Sequence, residues 1–207
     1  MDSTQYFDEK NYQFNTDSKN GVYIIHGFTN TTYEVKELAH YLSKQGFYTK
    51  ADNLPGHGTS LEDCNGCRYN DWIEFVEQGL AEMISRCDNV YIIGISMGSV
   101  LALHLSALFP INAGVFASTV LQFKDEFGVR ILTPLLHRLI PIRIKNKSYS
   151  KDKRFIVNYY GYHSWPMTAV NEMRKLTNKI RKILPKINCP ALIIHSKADL
   201  LSPQKNI

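Results

Sequence analysis

The sequence is short of the residues that build unusual scaffolds. Four cysteines in 207 residues are too few for a disulfide-built fold. Eight prolines and twelve glycines, neither of them periodic, exclude collagen-like and low-complexity chains. No apolar run approaches the roughly 18 residues of a membrane span, so no stable membrane insertion is expected. The opening Met1-Asp2-Ser3-Thr4-Gln5-Tyr6 has no basic-then-apolar signal segment, and a cytoplasmic protein is expected. Charge of one sign is also scarce, since 24 Lys and Arg against 19 Asp and Glu leave only +5. What is present is 44% hydrophobic residues, enough for the core of a single domain over 1–207.

Periodicity arranges these residues as alternating strands and helices. Gly21 to Gly27 is a β-branched and aromatic run that stops at glycine, a buried strand. Val35, Leu38, Ala39 and Leu42 share one helical face, with Thr31 or Thr32 as cap and Gly46 as stop. Phe47 to Leu54 reads as a strand broken by Pro55-Gly56-His57-Gly58, and a loop runs on to Tyr69. Asp71 with Glu74 opens a helix whose buried stripe is Trp72, Phe75, Val76, Leu80, Met83 and Ile84. Val90 to Ile93, Ala113 to Ala117 and Ala191 to His195 are further strands, and Val100 to Phe109 is a helix. This spacing implies a mostly parallel sheet with helices on both faces. Residues 1–20 are polar and turn-rich, a short arm or edge hairpin.

The interval between the last two strands is longer than one crossover needs. Residues 167–184 read as the crossover helix. The surplus at about 121–165 carries Phe123, Phe127, Ile131, Leu135, Leu136, Leu139, Tyr159 and Tyr160. It is expected to form a small cap inserted over the C-terminal ends of the strands, where open α/β sheets bind ligands.

Gly94-Ile95-Ser96-Met97-Gly98 lies directly after a predicted strand and directly before a predicted helix. A sharp turn there strains the serine and leaves no room for side chains at the flanking positions, which explains both glycines. The hydroxyl then projects above the sheet at a helix N-terminus, where developing negative charge is favoured. A nucleophilic Ser96 also needs donors for an oxyanion. The expected ones are the N–H of Met97 and, from the loop His26-Gly27-Phe28-Thr29, the N–H of Phe28. His26 is expected to hold that loop rather than act as a base.

Together these motifs resemble the α/β-hydrolase family, and within it bacterial carboxylesterases and monoacylglycerol lipases. The residues that carry the likeness are His26-Gly27-Phe28, Leu54 to Gly58, Gly94 to Gly98, and Ile193 to Asp199 with Pro203. It runs from about residue 20 to the end and is weakest in the cap. The resemblance assigns the triad acid to Asp199, and a carboxylate leaving a strand's C-terminal end is physically suited to orient a histidine. It implies a serine hydrolase that cleaves carboxylic esters through an acyl-enzyme, acting on short or medium acyl chains or on monoacylglycerol. A small-molecule ester is then the partner, with no nucleic acid and no cofactor.

The family's order is serine, acid, histidine, the last on a loop after one further strand. Only eight residues follow Asp199. His40 and His104 fall in helices, His57 in the Pro-Gly-His-Gly turn, His137 and His163 in the cap, and His195 in a position poor for reaching Ser96. The catalytic histidine is therefore expected beyond Ile207, in a fold that is C-terminally incomplete as given. The competing reading is a non-catalytic remnant or binding protein.

Two other patterns read as structural. Cys64-Asn65-Gly66-Cys67 has no second ligand pair, and its Asn-Gly centre suggests a turn rather than a metal site. Lys145, Lys147, Lys151, Lys153 and Arg154, with the basic residues of 174–186, read as a solvated face.

Overall fold

The structure, a computed structural model, describes residues 10–145, 161–199, 201–203 and 206. Tyr159, Tyr160, Lys147, Lys151, Lys153 and Arg154 lie outside the described residues, as does the middle of the expected cap.

Six strands form one sheet in the order β1-β3-β2-β4-β5-β8. These are β1 (Tyr12–Phe14), β2 (Asn20–Ile25), β3 (Tyr48–Ala51), β4 (Asn89–Ile95), β5 (Ala113–Ala117) and β8 (Ala191–Ile194). β1 is an edge arm antiparallel to β3, not a hairpin with β2, and all other pairs in this sheet are parallel. The crossovers are α1 (Tyr33–Lys44), α3 (Tyr69–Ile84), α4 (Met97–Leu108) and α6 (Met167–Arg181).

The period of two along β2 divides the core. Tyr23 and Ile25 face a cluster built with Trp72, Leu80 and Met83 of α3, Val100 and Leu105 of α4, and Leu176 and Ile180 of α6. Val22 and Ile24 face the other way, onto Val35 and Ala39 of α1. Helices thus cover both faces, as the patterning requires. β8 forms one edge of the sheet, and its Leu192, Ile193 and Ile194 are each about half exposed, at 52–56%.

Several boundaries differ from the sequence reading. Of the two expected caps, Thr32 stands at the start of α1 without capping it, because its hydroxyl donates to the Lys10 carbonyl at 2.6 Å, whereas the Thr31 hydroxyl accepts the Tyr33 N–H at 3.4 Å. The stretch read as a loop before Tyr69 contains a further helix, α2 (Leu61–Gly66), capped by Ser60 accepting from the Asp63 N–H at 3.0 Å. Asn65 of the Cys-x-x-Cys sequence is therefore helical. Its side-chain oxygen accepts the Thr168 and Ala169 N–H groups at 3.0 and 3.3 Å, capping α6, which begins after a proline. No His/Cys/Asp/Glu cluster suited to a metal occurs among the described residues.

Between β5 and α6 lie a π-helical turn (Gly128–Leu132), α5 (Thr133–Leu136), and the antiparallel pair β6 (Ile142–Ile144) and β7 (Ser164–Pro166). The Asn65 side chain reaches this region too, donating to the Pro141 carbonyl at 2.9 Å. No helix among the described residues is long and apolar enough to cross a membrane.

Leu80 is fully buried, whereas Tyr41 on α1 is 61% exposed. Leu80→Ala is expected to lower unfolding free energy by about 2–5 kcal/mol in urea titrations. Tyr41→Ala should stay within about 0.5 kcal/mol.

Candidate active site

The turn from β4 into α4 is as sharp as the glycine spacing demands. Ser96 adopts φ 55° and ψ −114°, a left-handed conformation unfavourable for a residue with a Cβ. A Cβ on Gly94 would overlap the Gly98 carbonyl, and one on Gly98 would overlap the Ile25 and His26 carbonyl oxygens. Both glycines are thus required by the approach of backbone to backbone. Ser96 N–H donates to the Ala117 carbonyl at 2.9 Å, which registers the turn on β5.

The loop after β2 folds against this turn. A Cβ built on Gly27 would stand 3.2 Å from the Ser96 Cβ. His26 is fully buried and bridges two segments: its Nε2 accepts the Leu54 N–H at 3.0 Å, so Nδ1 carries the proton and donates to the Gly27 carbonyl at 2.9 Å. The Asn30 N–H donates to the same carbonyl at 3.2 Å. In a trans peptide the C=O and the following N–H point in opposite directions, so fixing the Gly27 carbonyl also fixes the Phe28 N–H. Among the described residues neither the Phe28 nor the Met97 N–H has a hydrogen-bond acceptor.

An aromatic layer supports this loop. Phe28 stacks on Trp165 of β7 at 6.3 Å between centroids, and meets His57 and Trp72 edge-on at 5.8 and 6.1 Å. His57 is 2% exposed, and its Nδ1 donates to the Pro55 carbonyl at 3.1 Å. Burial pushes the imidazole of His26 down to about 4 and that of His57 to about 3, the latter helped by the neighbouring His26. Both are neutral near pH 7.

A cavity of about 540 Å³ opens beside Ser96 and Phe28. Its apolar lining includes Val120, Phe123, Val129, Trp165, Met173 and Leu201, with Lys124, Asp125 and Arg143 as charged members. All seven histidines are described and none lines it. His104 pairs with Glu77 at 2.7 Å, and His137 contacts Thr168 at 3.2 Å.

Asp199 does not line the cavity but belongs to a loop tied to the same turn. Its Oδ1 accepts the N–H groups of Leu201 and Ser202 at 2.8 and 2.9 Å, and its Oδ2 lies 3.9 Å from His195 Nε2. His195 Nε2 donates to the Ser202 carbonyl at 3.1 Å. The Ser202 hydroxyl donates to the Thr119 carbonyl at 2.6 Å, while the Thr119 hydroxyl, just after β5, meets that of Ser99 in the first turn of α4 at 2.6 Å. A chain of hydrogen bonds thus joins the Asp199 loop to the helix that begins at Ser96.

Sequence reasoning brought Ser96, Met97 and Phe28 to one place, but missed several supports. Lys145, read as part of a solvated basic face, turns inward instead: its ammonium donates to the Thr29 hydroxyl at 2.5 Å and sits 4.3 Å from the Trp165 ring centroid. Loss of hydration lowers its pKa. Glu34, Trp165, Thr119 and Ser202 carried no pattern that could have flagged them.

The doubly covered sheet and the strained serine between β4 and α4 define an α/β-hydrolase. The chain belongs to the serine aminopeptidase S33 family, whose profile matches residues 16–207. It is 30% identical over 193 residues to a thermostable monoacylglycerol lipase from Bacillus sp. strain H-257, covering 90% of this chain and 73% of that one. It is 24% identical over 179 residues to a carboxylesterase of Bacillus subtilis strain 168, covering 86% and 71%. Among solved structures, a metagenome-derived lipolytic enzyme superposes with a TM-score of 0.84 at 24% identity, covering 98% of this chain and 82% of that one. A monoacylglycerol lipase from Paleococcus ferrophilus superposes with a TM-score of 0.75 at 18% identity, covering 96% and 81%.

Two predictions follow from the packing. Gly98→Ala should lower the melting temperature sharply, because backbone must move, whereas Gly66→Ala in α2, with open space around it, should be neutral or stabilising by up to about 1 kcal/mol. The second concerns acid. His57 titrates near its ordinary 6.5 when unfolded and near 3 when folded, so between these values the unfolded state binds the extra proton and stability falls as pH falls. Urea titrations should show that His57→Gln reduces the loss between pH 6 and 4 by about 1.4 kcal/mol per pH unit.

Proposed function

We propose that this protein is a serine hydrolase that cleaves carboxylic esters. The observation that carries the reading is Ser96, held at positive φ at the mouth of an apolar cavity, with two N–H groups nearby that lack acceptors among the described residues. In this reading Ser96 Oγ attacks the ester carbonyl and the Phe28 and Met97 N–H groups hold the oxyanion. The alcohol leaves as the carbonyl re-forms, and water then cleaves the acyl-enzyme. Asp199 orients and charge-stabilises the histidine that takes the serine proton. Residues 121–165 act as the cap of a single domain, and Phe123, Val129, Ile144 and Trp165, which line the cavity, receive the acyl group.

The substrate class is a short or medium acyl ester, or a monoacylglycerol. An apolar cavity of about 540 Å³ is in the range that encloses small-molecule ligands. The lipase and carboxylesterase relatives support the same class. No cofactor enters the proposed cycle.

The test uses the product of the complete gene. One fluorophosphonate adduct is expected by intact mass, lost in Ser96→Ala together with at least about 10³-fold in kcat for a p-nitrophenyl ester. Turnover that survives Ser96→Ala would overturn the assignment. A full-length product that takes no adduct and shows no turnover would favour the non-catalytic binding reading.

A further inference from the structure

The loop Gly27-Phe28-Thr29-Asn30 contains a conformational problem that its own sequence does not solve. Thr29 has φ 61°. For a β-branched residue that region is a genuine outlier, and it persists only where the surroundings hold it. Relaxation of Thr29 to negative φ would turn the Phe28–Thr29 peptide and disturb the loop that carries the Phe28 N–H next to the Ser96 turn.

Two ionisable side chains, an acid and an amine, hold the loop from either side. Glu34, in the first turn of α1, accepts the Gly27 N–H on Oε2 at 2.6 Å and the Asn30 side-chain amide on Oε1. The same Oε2 and the Ser96 Cβ each stand 3.2 Å from where a Gly27 Cβ would be, so carboxylate and serine both pack closely against Gly27. Lys145, just after β6, donates to the Thr29 hydroxyl and packs on Trp165, the ring that stacks on Phe28. The Tyr162 N–H adds a bond to the Thr29 carbonyl at 2.9 Å. Hydrogen bonds to charged groups are stronger than neutral ones. The facing donors also explain the residue type. Gly27 and Asn30 both present N–H groups, and a carboxylate accepts both, whereas an amide has one oxygen.

We propose that Glu34 and Lys145, neither of which lines the cavity, are positioning residues that set the Phe28 N–H for the developing oxyanion. The carboxylate acts through Gly27 and Asn30, and the ammonium acts through Thr29 and Trp165. The inference rests on the ester-hydrolase reading above, because it needs an oxyanion to serve. It adds two residues outside the serine, acid and histidine set, and it links the segment after β6 to the chemistry at Ser96.

The experiment measures kcat and KM separately for a p-nitrophenyl ester in the complete gene product, with cooperative melting as the folding check. Removing an oxyanion donor costs about 10²–10³ in kcat; misplacing one should cost less, so Glu34→Ala and Lys145→Met are each expected to lower kcat about 10–100-fold. KM should stay within about twofold, since only transition-state binding is lost. Glu34→Gln, which keeps an acceptor for Gly27 but no second oxygen for Asn30, should recover part of the loss, and Lys145→Arg, which keeps a donor for Thr29, most of it. If Glu34→Ala does not fold, Lys145→Met carries the same expectation through a separate contact. Folded variants that keep parental kcat while Ser96→Ala is inactive would overturn this inference and leave the parent reading intact. So would a kcat loss matched by an equal rise in KM. Turnover that survives Ser96→Ala would remove both together.

Discussion

The constraint on which the rest of the molecule depends is the approach of one backbone to another where α4 begins. Gly98 lies against the carbonyls of Ile25 and His26 with no room for a single carbon. That approach brings the end of β2 and the start of α4 together, and with them the Phe28 loop and Ser96. A strained serine at such a point is stable only because sheet and helix are fixed independently. β4 is bonded on both sides by β2 and β5, and α4 is buried along most of its length. The strain is local, and its compensation is spread through the core.

Around that point the structure replaces hydration with fixed polar contacts. His26 spends both ring nitrogens joining the Gly27 carbonyl to the Leu54 N–H, and His57 lies beneath Phe28 as an uncharged aromatic surface. Burial disfavours their charged forms, so the two rings behave as rigid neutral spacers near pH 7. A floor of this kind keeps the loop above it in place. The Asp199 loop is anchored on the other side by hydroxyls, through Ser202, Thr119 and Ser99. Loop and serine turn therefore share one hydrogen-bonded scaffold.

The segment between β5 and α6 is bound to this scaffold from several directions. Asn65 of α2 caps α6 and holds Pro141, Trp165 stacks on Phe28, and Lys145 reaches Thr29. The same segment supplies much of the cavity lining, so cavity shape and loop geometry are mechanically coupled. A displacement of β6 and β7 would disturb both.

The strands, the crossover helices and the serine turn were legible in the sequence because they rest on local rules. Alternation and 3.6-residue periodicity report which face is buried, and glycine marks where backbone must pass backbone. α2 was missed because six residues give too few turns for periodicity to register. Lys145 was misread because a lysine's surroundings are set by what folds over it, not by its neighbours in the chain. The sequence by itself determined the layered α/β core, the strained turn at Ser96 and the loop that supplies Phe28. Only the tertiary structure decided that Glu34, Lys145, Trp165 and Asn65 serve that turn, because each acts through partners distant in the chain or through a shape that no spacing encodes.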